Sequence, residues 1–412
     1  MIVLLNDLSN LKKNIEREIA NHKDNQPINI SLEFNENKST KKDNFNLINL
    51  KKVIAKIQKD YPNNEFKFEI AYVKHNDFSI DSDKCKRLEE INNFLIDNYK
   101  SELLIRRDKE LDRSFPFQSV INANRQIEKI INKVNKAKND NPDISTFEQF
   151  MIIYEEVTDF IYKEEERYDQ LNASHWISVV NSDKIVCTGY ASLMQELTKR
   201  VFKENELLVL ENDVDVFDKS RDELVSAHSN NIIFIKDKKY NINGLFYLDP
   251  CWDSIENKDE VKSYSYCCIP LGDIPHHKFF YFHFRNVYQY NLEESYDKFF
   301  DINKSKRIAK KIPLLKEFIH EDYFEDKNSL HYYINNYESL NNKSIVPINA
   351  YINAFKIIGK QKGLKDEELS KFVKERIEKS IAKTSYYFYT DKCNASLVNQ
   401  LNSSKQSKTM KR

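Results

Sequence analysis

Glycine is scarce, with five residues in a chain of 412, and none of them builds a GxGxxG or GxxxxGK(S/T) loop. Nucleotide binding through a glycine-rich phosphate cradle therefore has no support. Cysteine is nearly as rare: the six residues Cys85, Cys187, Cys251, Cys267, Cys268 and Cys393 form no CxxC or Cys/His zinc spacing. They read as reduced thiols, which points to the cytoplasm. Excess charge of either sign is also missing. Lys plus Arg and Asp plus Glu both number 64, which removes the bulk attraction that nucleic acid or an anionic membrane would need. No apolar run nears the length that spans a bilayer, and the opening Met1-Ile2-Val3-Leu4-Leu5 turns polar at Asn6, too early for a signal-peptide core. Neither nucleic acid nor membrane is expected as a partner. His276, His277 and His283 have no carboxylate at ligand spacing, and adjacent strand residues point to opposite faces, so no metal is expected.

What is present describes a globular chain too long for one core. Hydrophobic residues make up 40% and charged residues 31%, and 412 residues imply more than one domain. Ile28, Ile30, Leu32 and Phe34 alternate as on a half-buried strand, as do Phe66, Phe68, Ile70 and Tyr72, with a third short strand at Leu103 to Ile105. Helical spacing over Leu47 to Ile57 and Leu88 to Ile96 makes this a βαβαβ unit, able to form a small parallel sheet. Val120 to Val134 and Phe147 to Tyr162 read as helices, with Pro142, Asp143 and Ser145 breaking and capping between them. Phe279 to Phe282 reads as core filling. Beyond about Asp301 the chain reads mostly helical, clearest at Leu364 to Ala382. We expect an N-terminal α/β domain over 1–115, a catalytic α+β domain over 116–300, a helical region over 301–392 and a polar tail over 393–412.

Chemistry concentrates in three places. Lys184-Ile185-Val186-Cys187-Thr188-Gly189-Tyr190-Ala191 runs into Leu193, Met194, Leu197 and Val201 at helical spacing, which puts Cys187 at a helix start. Unpaired N–H groups and the positive helix end favour thiolate there, and Gly189 allows a close backbone approach or a tight turn. Alone, such a cysteine is more often a small buried residue. His228 precedes the strand-like run Ile232 to Ile235, and Asp249 closes the run Leu245 to Leu248. If a hairpin turned on Lys238 and Lys239, His228 would fall opposite Asp249, with Cβ atoms roughly 4.5 to 5.5 Å apart. A sulfur nucleophile, an imidazole to carry its proton and a carboxylate to orient the imidazole make up a catalytic triad. The Cys187 N–H is the first oxyanion donor to consider, and His175 and Trp176 are candidate cleft residues, although Trp176 suits a packing role equally well.

Val186-Cys187-Thr188-Gly189-Tyr190-Ala191 resembles the nucleophile motif of the transglutaminase-like superfamily. His228-Ser229-Asn230-Asn231 is similar to that family's H-x-W-N box, and Tyr247-Leu248-Asp249-Pro250-Cys251-Trp252-Asp253 to its Y-x-D-P-T-W-D box. Ile161-Tyr162 through Tyr168-Asp169 looks like its helix ending in a Tyr-Asp pair. The resemblance covers Thr146 to Ser254, about a quarter of the chain. It implies a papain-like α+β core with Cys187 as nucleophile, His228 as base and acid, Asp249 as orienting carboxylate, Tyr190, Asn231 and Trp252 as supporting residues, and no cofactor. The implied activity is acyl transfer on peptide or glutamine amides of a peptide or protein substrate, with hydrolysis favoured over cross-linking. The alternative is a catalytically silent peptide-binding or scaffolding module. Two positions depart from the pattern. Asn230 replaces a Trp, which would leave the histidine less shielded from water. Cys251 replaces a Thr, as an inert thiol or a redox partner for Cys187.

Overall fold

The computed structural model describes residues 2–4, 11–21, 27–36, 45–74, 78–107, 114–160, 162, 174–181, 185–203, 205–218, 223–254, 261–262, 264–270, 278–283 and 346–384. Over these residues the protein is α+β, with one mixed and one antiparallel sheet. The chain divides into two compact units, Met1–Gln126 and Ile127–Arg412.

In the first unit, β1 (Ile2–Leu4), β2 (Ile28–Asn35), β3 (Phe66–Lys74), β4 (Leu103–Arg107) and β5 (Ser114–Pro116) lie side by side in chain order. The first four are parallel and β5 turns back antiparallel to β4. Parallel neighbours need long returns, here α1 (Leu11–Asn21), α2 (Leu47–Asp60) and α3 (Ser82–Tyr99). Alternation buries Ile30, Leu32, Ile70, Leu103 and Ile105, and the helices supply Leu50, Ile54, Ile57, Leu88, Ile91 and Leu95. The βαβαβ reading thus extends by a strand at each side. Neither extra strand exceeds three residues, which is too short for a period-two pattern to register.

In the second unit a twisted antiparallel sheet runs β10-β6-β7-β8-β9, formed by β6 (Leu207–Asp218), β7 (Glu223–Asp237), β8 (Ile242–Leu248), β9 (Ile269–Pro270) and β10 (Lys278–His283). α4 (Phe117–Asp140), within which the two units meet in sequence, is followed by α5 (Thr146–Val157), α6 (Trp176–Asn181), α7 (Cys187–Val201) and the short α8 (Pro250–Asp253). The Ser145 side chain accepts from Glu148 N–H and Glu148 reaches back to Ser145 N–H, a capping box at the start of α5. This helix is buried nearly all round, with Phe147, Phe150, Met151, Ile153, Tyr154 and Val157 out of solvent, as befits a central element. It ends at Val157, short of the expected Tyr162. Thr158 turns its hydroxyl onto the carbonyls of Tyr154 and Glu155, the local competition with the backbone that makes Thr a poor helix continuer.

Two further helices, α9 (Ile348–Gln361) and α10 (Asp366–Thr384), belong to this unit. α9 packs on α5, and α10 on α9. Glu155, buried on α5, receives Lys362 at 2.6 Å and Arg376 at 3.1 Å, with Lys262 at 3.5 Å and the Tyr264 hydroxyl beside it. Burial opposes charge on Glu155, yet the three cations Lys262, Arg376 and Lys362 overcome it and hold the carboxyl down at about 2. The readings placed on 301–345 and 385–412, on His276 and His277, and on the Tyr168-Asp169 pair fall outside the described residues.

Candidate active site

Cys187 is the first residue of α7, as its spacing predicts. The preceding Val186 has no side-chain cap, and the first intrahelical bonds are Gly189 N–H and Tyr190 N–H to Val186 O, at 2.8 and 3.2 Å. The N–H groups of Cys187 and Thr188 precede that ladder, at the positive end of the helix. Gly189 sits within the first turn rather than at a bend before it. Tyr190 is buried with its hydroxyl on Phe160 O at 2.7 Å, and Asn231 donates to Ala191 O at 3.0 Å, so both side chains tie this turn to its surroundings.

His228 lies within β7, and its Nε2 meets Asp249 Oδ2 at 2.7 Å. The expected hairpin register is two residues out. Asn231 pairs with Leu248 and Asp237 with Ile242, so the turn centres on Lys239 and Tyr240. Asp237 Oδ1 accepts from Tyr240 N–H at 3.1 Å and Asn241 adopts a left-handed φ of 52°, which together close the longer turn. One step further along this register Asp249 would face Asn230. His228 is therefore its diagonal neighbour on the same face, a separation that a long ring spans.

Asp249 has left the strand and caps α8: its Oδ1 accepts from Trp252 N–H at 3.0 Å. Its Oδ2 takes the Tyr247 hydroxyl at 2.7 Å as well as His228. The carboxylate is 0% exposed, and these three donors satisfy it. Trp252 stacks on His228 with centroids 4.7 Å apart and planes at 12°, while Tyr266 packs edge-on against Trp252 at 4.9 Å. Where the family pattern has a Trp, Asn230 is 0% exposed and close enough to the Tyr247 hydroxyl to oppose the upward shift that burial and Asp249 impose on it, and it is the indole of Trp252 that covers the His228 ring.

The electrostatics of the pair are reciprocal. Burial raises the Cys187 thiol, but its hydrogen bond to His228, the imidazolium charge and the Ser229 N–H bring it below the ordinary value. Burial lowers His228, but the Asp249 charge and hydrogen bond, with Cys187 behind them, push it up to about 10. Since Asp249 occupies Nε2, Nδ1 is the ring nitrogen left for the thiol. Both shifts favour thiolate with imidazolium. Burial, with the charges of Asp249 and Cys187, pushes the Cys251 thiol well up, which leaves it inert as a nucleophile.

His175 and Trp176 are buried at the start of α6, where Trp176 N–H meets Ser192 Oγ at 3.3 Å and Arg200 lies over the indole at 5.2 Å. Both contacts fall further along α7 than the turn that carries Cys187. Sequence reasoning missed the segment 264–267. Tyr266 O accepts from Asp249 N–H at 3.0 Å, and Tyr266 N–H donates to Asp253, whose carboxylate also takes the Tyr154 hydroxyl at 2.7 Å. Tyr264 N–H in turn donates to Ser380 Oγ on α10 at 2.9 Å. Backbone bonds of this kind leave no residue signature.

Each of the five described cysteines is a free thiol, with Cys267 and Cys268 sulfurs 4.0 Å apart. Among the described residues no cluster of three or more His, Cys, Asp or Glu side chains is arranged to hold a metal, and no helix is long and apolar enough to cross a membrane. No protein-family model matches this chain, and no curated protein sequence matches it either.

Proposed function

We propose that the protein is a cysteine-dependent acyl-transfer enzyme of the transglutaminase-like kind, built on a papain-like core. The observation that carries this reading is a largely buried imidazole held at 2.7 Å by a carboxylate, beside a thiol at a helix start whose pKa it holds below the ordinary value. In the reaction Cys187 thiolate attacks the carbonyl of a peptide or glutamine amide. His228 delivers its proton to the departing amine, and water activated by the same imidazole resolves the thioester. The Cys187 N–H, unpaired within α7, is the donor for the oxyanion. Hydrolysis fits better than cross-linking, because water needs no binding site of its own. Reduced thiols suit a cytoplasmic setting, and a peptide or protein is the expected substrate.

The test is limiting iodoacetamide with peptide mapping of all six cysteines, on wild type and on His228→Ala. Fast, His228-dependent labelling of Cys187 supports an activated nucleophile. Labelling of Cys187 at the rate of Cys393 would refute it and favour the peptide-binding module.

A further inference from the structure

One oxygen of Asp249 serves two donors. Oδ2 accepts from His228 Nε2 and from the Tyr247 hydroxyl, both at 2.7 Å, inside a carboxylate with no solvent exposure. Water cannot take up the slack there, so each donor weakens the oxygen's hold on the other. A hydroxyl has one proton, and that of Tyr247 is committed to Asp249 Oδ2.

We propose that Tyr247 is a positioning residue for the Cys187–His228–Asp249 triad, its hydroxyl sharing Asp249 Oδ2 with the imidazole and so setting how tightly the carboxylate holds it. The proposal deepens the acyl-transfer reading. A carboxylate held too strongly to His228 keeps the ring as imidazolium, a poor base for the water that resolves the thioester. The shared oxygen moderates that hold.

The groups to weigh in any titration are few. Asp249 at the β8–α8 junction and Cys187 on α7 face His228. Asp249 is faced by His228 from β7 and Tyr247 from β8, and its charge is also felt by Tyr154 on α5 and Cys251 on α8.

The experiment is an NMR titration of the His228 ring in full-length protein carrying Cys187→Ala, which lowers the starting point by removing the thiolate and needs no turnover. Adding Tyr247→Phe is expected to move the His228 midpoint upward by about one pH unit, the size of one charge-assisted hydrogen bond partly redistributed. Tyr154→Phe, which removes a buried hydroxyl bonded to Asp253 instead, is expected to leave it in place. An unchanged midpoint in folded Tyr247→Phe, or an equal shift in Tyr154→Phe, would overturn the proposal. If Tyr247→Phe does not fold, a fluorotyrosine at position 247, whose more acidic hydroxyl donates more strongly to Asp249, decides: the midpoint is expected to fall, and no shift would overturn the sharing. Failure of the enzyme reading is seen separately, in unselective labelling of wild-type Cys187.

Discussion

His228 lies flat against Trp252, 4.7 Å from centroid to centroid and 12° from parallel. An imidazolium in that position sits over the negative face of the indole, an arrangement that favours the protonated ring. It also quenches indole emission. In a Trp176→Phe background, where Trp252 is the sole remaining tryptophan, fluorescence is expected to rise as His228 loses its proton near pH 10. Emission that stays flat between pH 8 and 11, while the fold persists, would show that the two rings are not electronically paired.

Alkylation of Cys187 should follow the thiolate. Its thiol is held below the ordinary value, chiefly by the hydrogen bond to His228 and the imidazolium charge, which outweigh burial. The pH–rate curve of wild type is therefore expected to reach its plateau at lower pH than a free thiol of pKa about 8.5. Replacing His228 with Ala leaves burial unopposed, so the curve moves to higher pH and the rate at pH 7 falls by about tenfold or more. Stopped-flow alkylation across pH 5 to 10 measures both.

Asp249→Asn keeps the shape of the orienting group and removes its charge. The imidazole loses its strongest support, and turnover on any amide substrate is expected to drop by about 10² to 10⁴ fold. The stability consequence has a definite sign. His228 is raised in the folded state, so its contribution is fully present below the unfolded value of about 6.5 and is lost as pH rises through about 10. Chemical denaturation of wild type at pH 6 and pH 10 should show that loss, and the Asn variant should show much less of it.

Glu155→Gln would leave Lys262, Lys362 and Arg376 around a neutral amide in the interior. Breaking a buried ion cluster from one side costs about 3 to 5 kcal/mol, and urea unfolding should register a loss of that size. Wild-type Glu155 is depressed to about 2, so its stabilisation is present above about pH 4.3 and fades as pH falls through 2. The variant should lack that acid limb.

Periodicity made the long elements legible, and the site was legible wherever side chains carry it. β2, β3, α2 and α7 follow from apolar spacing, and the order Cys187, His228, Asp249 from residue type. The hairpin register was not, because it depends on how many residues the turn consumes. Asn241 can adopt positive φ, but nothing in Lys236 to Gly244 requires that it does. α9 was read only as part of a helical region, without bounds of its own. It starts after Pro347 with no polar cap and no acidic first turn, so the usual start signals are missing. β6 carries acidic residues through its second half, which masks a strand by composition.

The bond from Tyr264 to Ser380 crosses 116 residues of chain. On a ribosome adding about 5 to 20 residues per second, the segment that supports Asp249 waits roughly 6 to 23 seconds for its anchor to be synthesised. Cys187 and His228 are thus made well before the scaffold beneath them is complete. A nascent chain carries all three chemical groups without the frame that aligns them, so reactivity should arise only once α10 has been made and has docked.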